Sequence, residues 1–216
     1  MTMISIIGNI GSGKSTLSKA FGNNGFKVFE EPVEGNPFLE PFYKDQKRWG
    51  FSMQIFMLFH RYSQHLQQVF SGIDTVSDSS IYSDFVFAEV LYNDGIITKD
   101  EYQLYLSGLE NLKKHLVYPD AIVYIKLTPQ QALNRINQRA RGCESGIPLD
   151  YLQKLSNGYD SMVSTISQYC PVIEVEAYNS ITKMEMEIPK IIEIVKKKND
   201  KGELNKYRKV ISDWKL

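Results

Sequence analysis

Two cysteines in 216 residues are too few for a disulfide framework, and Cys143 and Cys170 show no metal-ligand spacing. A reduced, cytoplasm-like compartment is therefore the default expectation. No run approaches the roughly 18 apolar residues that a membrane-spanning helix needs. The first strand pattern starts so near the N-terminus that no signal or transit peptide is expected. Neither sign of charge is in excess. The 25 lysines and arginines balance 25 acidic residues, so nothing favours a polyanion, and a nucleic-acid partner is not expected. Histidine is scarce. His60, His65 and His115 have neither ligand nor triad spacing and read as helix-surface residues. No internal repeat and no Pro/Gly/Ser-rich linker divides the chain. Residues 1–216 read as one α/β domain, long enough to bury a full core.

What is present is a glycine loop. Gly8-Asn9-Ile10-Gly11-Ser12-Gly13-Lys14-Ser15-Thr16 fits the phosphate-loop pattern G-x-x-x-x-G-K-[ST]. Met3 to Ile7 before it is a β-branched run fit for a buried strand, and Thr16 to Phe21 after it reads as a helix. The loop N–H groups and the helix N-terminus suit anionic oxygens. Lys14 is expected to reach the β- and γ-phosphates of a nucleoside triphosphate, and the Ser15 hydroxyl to ligate Mg²⁺.

Apolar runs alternate with helical patterns along the rest of the chain, which predicts a parallel sheet of five strands flanked by helices. The second strand is Lys27-Val28-Phe29, and Glu31 follows it. Strand ends of this kind hold ligands in open α/β sheets, although spacing alone fits a surface carboxylate before Pro32 equally well. Pro32 to Phe42 reads as a loop with at most one helical turn. Arg48 to Phe70 reads as a long helix, apolar nearly all round, and so either deeply packed or in a subunit interface. Gln54 and Arg61 share one face of it and need buried partners, either in a site or on a neighbouring helix. A weak third strand, about Ile73 to Ser77, ends at Asp78, which suits either Mg²⁺ and its waters or a helix N-cap. Helices are expected over Asp84–Asn93 and Lys99–Val117, the latter with a core stripe of Leu104, Leu106, Leu109, Leu112 and Leu116. Ala121 to Ile125 is the fourth strand. Pro129 opens a helix carrying Arg135 and Arg139, with Arg141 in the glycine-flanked loop beyond. These three arginines predict a short lid, about residues 135–148, that neutralises a transferring phosphoryl group. A helix over Pro148–Ser167, a strand over Val172–Val175 and an amphipathic helix over Ile181–Lys197 follow. The basic tail, about 198–216, has Tyr207, Val210, Ile211 and Trp214 at helical spacing and is expected at most to dock as a short helix.

The motifs together resemble those of the deoxynucleoside kinase family from the phosphate loop to about Leu155, and more loosely beyond. Glu31-Pro32-Val33 is similar to the family's Glu-Pro-Val, whose glutamate is the general base for the substrate 5′-hydroxyl. Glu34 to Tyr43 resembles the bacterial deoxyadenosine/deoxyguanosine kinase form of the following loop. The resemblance implies substrate contacts from Leu39 and Tyr43, with Tyr43 at the sugar 3′-hydroxyl, and from Gln54 at the base edge. Arg61 and Asp84 match a polar pair near the base that goes with deoxycytidine and purine deoxynucleosides rather than thymidine. Arg135, Arg139 and Arg141 fall on the lid arginines, and Glu144 on a lid glutamate that also binds the 3′-hydroxyl.

The implied activity is ATP- and Mg²⁺-dependent phosphorylation of a deoxynucleoside in nucleotide salvage, by a helical homodimer. The catalytic set is then Glu31, Lys14, Arg135, Arg139 and Arg141, with Ser15 and Asp78 toward the metal. One departure stands out. After the third strand the family has acid-Arg-Ser, whereas this chain has Asp78-Ser79-Ser80. Another cation must substitute, or activity is low. Ser79 is also the best support for a non-catalytic kinase-like binding subunit. A thymidylate-kinase-like monophosphate kinase is the other alternative, but it requires a phosphate-binding arginine after the second strand, where Glu31-Pro32-Val33-Glu34 is acidic.

Overall fold

β1 (Met3–Gly8) is buried along its whole length. It lies in the middle of an all-parallel sheet in the order β2-β3-β1-β4-β5. Its partners are β3 (Thr75–Asp78) and β4 (Ala121–Lys126), with Ile4 opposite Val76 and Ile6 opposite Val123. β2 (Lys27–Phe29) and β5 (Val172–Glu176) form the edges. The computed structural model describes residues 1–33, 35–144, 146–177 and 181–200. The tail residues Tyr207 to Trp214 lie outside the described residues.

Strand alternation splits the core in two. Ile4, Ile6, Val123 and Ile125 face α1 (Lys14–Gly22) and α8 (Ile181–Asp200), where Leu17, Phe21, Ile188 and Ile191 meet them. Ile7, Ile122 and Tyr124 face the opposite side. There they join a larger core built from α3 (Gln46–Phe70), α4 (Asp84–Asn93), α5 (Lys99–Lys113), α6 (Pro129–Arg139) and α7 (Leu149–Ile166). A short α2 (Leu39–Lys44) packs on α3. Pro41 sits in the first turn of α2, where no backbone donor is missed.

Capping explains the helix starts. The Asp45 side chain accepts from Arg48 N–H at 3.0 Å and opens α3 two residues before the expected start. Thr98 with Glu101, and Thr128 with Gln131, form capping boxes for α5 and α6.

Three expectations need correction. α5 stops at Lys113, because the chain turns so that Val117 N–H donates to His65 Nε2 at 3.2 Å. His65 is consequently buried rather than on a helix surface, and burial lowers its pKa to about 4. Leu104 is 61% exposed and outside the core, unlike Leu109 and Leu116.

Candidate functional site

The carboxyl ends of β1 and β2, the glycine loop, α3 and the segment after α6 enclose a cavity of about 500 Å³. At one end is the loop. A side chain at Gly8 would place its Cβ 2.7 Å from the Ile125 carbonyl oxygen, so only glycine lets the loop leave β1 here. Gly13, with φ 99°, is the left-handed N-cap that turns the chain into α1. Ile10 to Thr16 line the cavity. Gly8 and the Asn9 side chain do not. Asn9 Nδ2 instead donates to the Leu152 carbonyl at 2.8 Å and to Ser156 Oγ at 2.9 Å, tying the loop to α7.

The Lys14 ammonium lies across the loop, donating to the Gly8 carbonyl at 2.9 Å and the Asn9 carbonyl at 3.1 Å. Burial lowers its pKa, and the Glu31 and Asp78 carboxylates oppose that shift. Asp78 is buried at the end of β3 and hydrogen-bonded with Ser15. Its Oδ1 has no protein partner. Burial and the nearby Glu31 raise its pKa. The capping alternative for Asp78 does not hold, since Ser80 accepts from Tyr82 N–H and fills that role. A buried carboxylate oxygen with no partner, beside a hydroxyl, has the ligand chemistry of an Mg²⁺ site.

At the other end, Glu31 lies on the cavity wall with its side chain 26% exposed. Burial would raise its pKa, but Arg61 and then Lys14 outweigh it and hold the carboxyl below the usual range. Arg61 comes from α3. Its Nη2 donates to Glu31 Oε1 at 2.5 Å, and its Nη1 donates to Asp84 Oδ1. Burial disfavours the Arg61 charge, but the Asp84 and Glu31 carboxylates raise its pKa overall. Gln54, one face along α3, is buried on the wall, and its Oε1 has no protein partner. Leu39, Tyr43 and Phe87 also line the cavity. Phe87 lies under the Arg61 guanidinium at 5.9 Å.

At the end of α6 and just beyond it, Arg139 Nη2 and Arg141 Nη1 both donate to Glu144, the latter at 2.8 Å. Arg135 Nη1 donates to the Ser12 carbonyl at 3.2 Å. All three arginines and Glu144 line the cavity.

The structure thus brings most of the predicted residues to one space, with Asp78 and Asp84 just behind its wall. Sequence reasoning missed three features. One is the bond between Arg61 and Glu31, thirty positions apart. Another is Tyr105, whose hydroxyl donates to Asp84 Oδ2 at 2.5 Å. A lone tyrosine on an amphipathic helix gives no signal of this. The third is Ser79, whose backbone is left-handed at φ 83°, a conformation that pattern does not announce.

Comparison with known proteins gives a consistent picture. A family model described as deoxynucleoside kinase matches residues 4–199. A deoxyadenosine kinase of Dictyostelium discoideum is 39% identical over 176 residues, covering 81% of this chain and 71% of that protein. A deoxyadenosine/deoxycytidine kinase of Bacillus subtilis (strain 168) is 33% identical over 209 residues, covering 91% and 96%. The structure of a deoxyadenosine kinase from M. mycoides, with products dCMP and a flexible dCDP bound, superposes with a TM-score of 0.81. It is 30% identical, over 89% of this chain and 99% of that one.

Proposed function

The chain belongs to the deoxynucleoside kinase family, and from that premise we propose that it transfers the γ-phosphate of ATP to the 5′-hydroxyl of a deoxynucleoside. Deoxyadenosine, deoxyguanosine and deoxycytidine are favoured over thymidine. The relatives' names support this, as does the Arg61–Asp84 pair near Gln54. One observation carries the reading: Lys14 of the glycine loop and the Glu31 carboxylate face the same cavity.

In this mechanism Glu31 takes the proton of the 5′-hydroxyl as that oxygen attacks the γ-phosphorus in line. The bond to the β,γ-bridging oxygen breaks and ADP leaves. Arg61 and Lys14 hold the Glu31 carboxyl below the usual range, so the proton acceptor is in its charged form but is a weak base, and its contribution rests on positioning. Lys14, Arg135, Arg139 and Arg141 stabilise charge on the transferring group, and positioning supplies much of the remainder. Gln54 offers the base a hydrogen-bond acceptor and two donors. Tyr43 and Glu144 reach the sugar 3′-hydroxyl, with Leu39 on the wall of the same cavity. Residues 135–148 act as a lid, in which Arg139 and Arg141 exchange Glu144 for phosphate oxygens. Ser15 and Asp78 would hold Mg²⁺, which when bound would neutralise phosphate charge.

Two copies pair through the α3 and α5 region, where Phe59 and Leu104 are 56% and 61% exposed on helices that touch each other. Cys143 and Cys170, neither of them in a disulfide, are compatible with a cytoplasmic setting, and among the described residues no helix is long and apolar enough to cross a membrane.

The test is incubation with Mg-ATP and each of the four deoxynucleosides, reading monophosphate. Production from at least one purine deoxynucleoside or deoxycytidine is expected. No product from any of the four, with ATP still bound, rejects the proposal in favour of a binding subunit. Glu31→Gln should abolish turnover while nucleoside binding survives; unchanged turnover removes Glu31 as the base.

A further inference from the structure

The site contains a carboxylate whose cation arrives from an unusual place. Glu31 is faced by Lys14 from the loop, Arg61 from α3, Arg141 from the segment after α6, and Asp78 from β3. Asp84 on α4, His60 on α3, Tyr43 on α2 and Tyr159 on α7 also face it. Of the cations, only Arg61 is bonded to it. The Lys14 ammonium is turned to the Gly8 and Asn9 carbonyls, and Arg141 is held by Glu144. The residue on the cavity wall next to Asp78 is Ser79, which carries no charge. It is buried, with its N–H bonded to the Ile6 carbonyl at 2.9 Å.

What aims Arg61 is equally specific. Its Nε is buried without a hydrogen-bond partner, so the stem does not fix the guanidinium plane. The plane is set by its two carboxylates and by the Phe87 ring beneath it. Asp84 has no solvent exposure. One of its oxygens meets Arg61 and the other accepts the Tyr105 hydroxyl. Tyr105 is fully buried in the large core on α5. A phenylalanine would fill that core space as well. The hydroxyl is therefore explained by what it touches, since a buried carboxylate needs its remaining lone pairs satisfied.

We infer that Tyr105 and Asp84 are positioning residues that lock the Arg61 guanidinium against Glu31, so that Arg61 supplies from α3 the cation that position 79 lacks. The line Tyr105–Asp84–Arg61–Glu31 joins α5, α4, α3 and the end of β2. Its consequence for turnover rests on the kinase reading; its geometry does not.

The decisive variant is Tyr105→Phe, which keeps the ring and removes the hydroxyl. Nitrogen NMR of the arginine side chains, with Arg61→Lys to assign the signals, reports the Arg61 guanidinium directly. In the parent protein its two Nη groups should give separate, slowly exchanging signals. In Tyr105→Phe these should shift and broaden together. Kinetics with Mg-ATP should show kcat lower by roughly tenfold, the size expected for one lost charged hydrogen bond, with the KM for ATP unchanged. Adding Ser79→Arg to Tyr105→Phe should recover most of the loss by delivering a guanidinium from β3. Unmoved Arg61 signals, or an unchanged kcat, overturn the inference. So does a double variant with an unchanged thermal midpoint that restores nothing. If the parent protein phosphorylates no deoxynucleoside, the kinase reading fails and the NMR comparison alone decides whether Tyr105 holds Arg61.

Discussion

The two ends of the cavity are built by different means. The phosphate end is seven consecutive residues, Ile10 to Thr16, whose binding groups are largely backbone N–H. The nucleoside end draws Glu31, Gln54, Arg61, Phe87 and Tyr159 from the segment after β2 and from α3, α4 and α7, with Asp84 and Tyr105 as backing. The first is contiguous in the chain and anchored at a few points, by Asn9 to α7 and by Arg135 of α6 to the Ser12 carbonyl. The second exists only when four helices have packed. Chemistry at the phosphate end should therefore be separable from stability, and at the nucleoside end the two should be entangled.

The strongest test of that contrast is Lys14→Met. Methionine replaces the stem and deletes the charge proposed to stabilise the transferring group. Turnover should fall on the order of 10⁴-fold, in the range seen for removing a cation from phosphoryl transfer. Stability should hold or rise, because burial already works against the Lys14 charge. Rates and thermal midpoints measured on one preparation check both halves. A large loss of stability would show that the Lys14 ammonium is part of what holds the loop.

The same contrast explains what could be read before any coordinates. The glycine loop, four of the five strands and most helix starts follow from short-range patterns, and each lies within a few residues of its expected place. β3 was weak in pattern and begins at Thr75, two residues late, because Ile73 is 52% exposed. Errors concentrate where a tertiary contact decides. His65 carries no sequence mark of burial, yet the Val117 N–H needs an acceptor and finds its ring. By sequence Asp78 suits a cap and a metal ligand equally; in the fold Ser80 fills the cap. Glu31 and Arg61 were each visible as site residues. The bond between them was not, since only the docking of α3 beside β2 creates it.

His65 gives the second test, this time of the entangled end, because α3 carries it along with Gln54 and Arg61. In the folded protein its pKa is about 4, against about 6.5 for an unfolded histidine. The native state therefore keeps the ring neutral while the unfolded chain takes up a proton. Stability from this residue is complete above about pH 6.5 and is lost as pH falls toward 4, by at most about 3 kcal/mol. Urea unfolding at pH 7 and pH 4.5 should show the drop. His65→Gln, which retains an acceptor for Val117 N–H, should remove most of the pH dependence in this window. If the drop persists in that variant, other groups carry it and α3 is not pinned as described.

The smallest expected effect concerns Gln54, and its sign is the informative part. Gln54 Oε1 is buried with no protein partner, so only solvent or a bound base can satisfy it. An amide kept in that condition works against stability when no nucleoside is present. Gln54→Leu should therefore leave the free protein as stable as before or raise its stability by about 1 kcal/mol. The same change should raise the KM for the deoxynucleoside and leave that for ATP alone, because the two ends share a cavity but not a wall residue at this point. Thermal unfolding of the free protein, paired with substrate titrations, reads both signs. A destabilised variant with unchanged substrate affinity would mean that Gln54 is part of the scaffold, and the division between a local phosphate end and a distributed nucleoside end would have to be drawn elsewhere along α3.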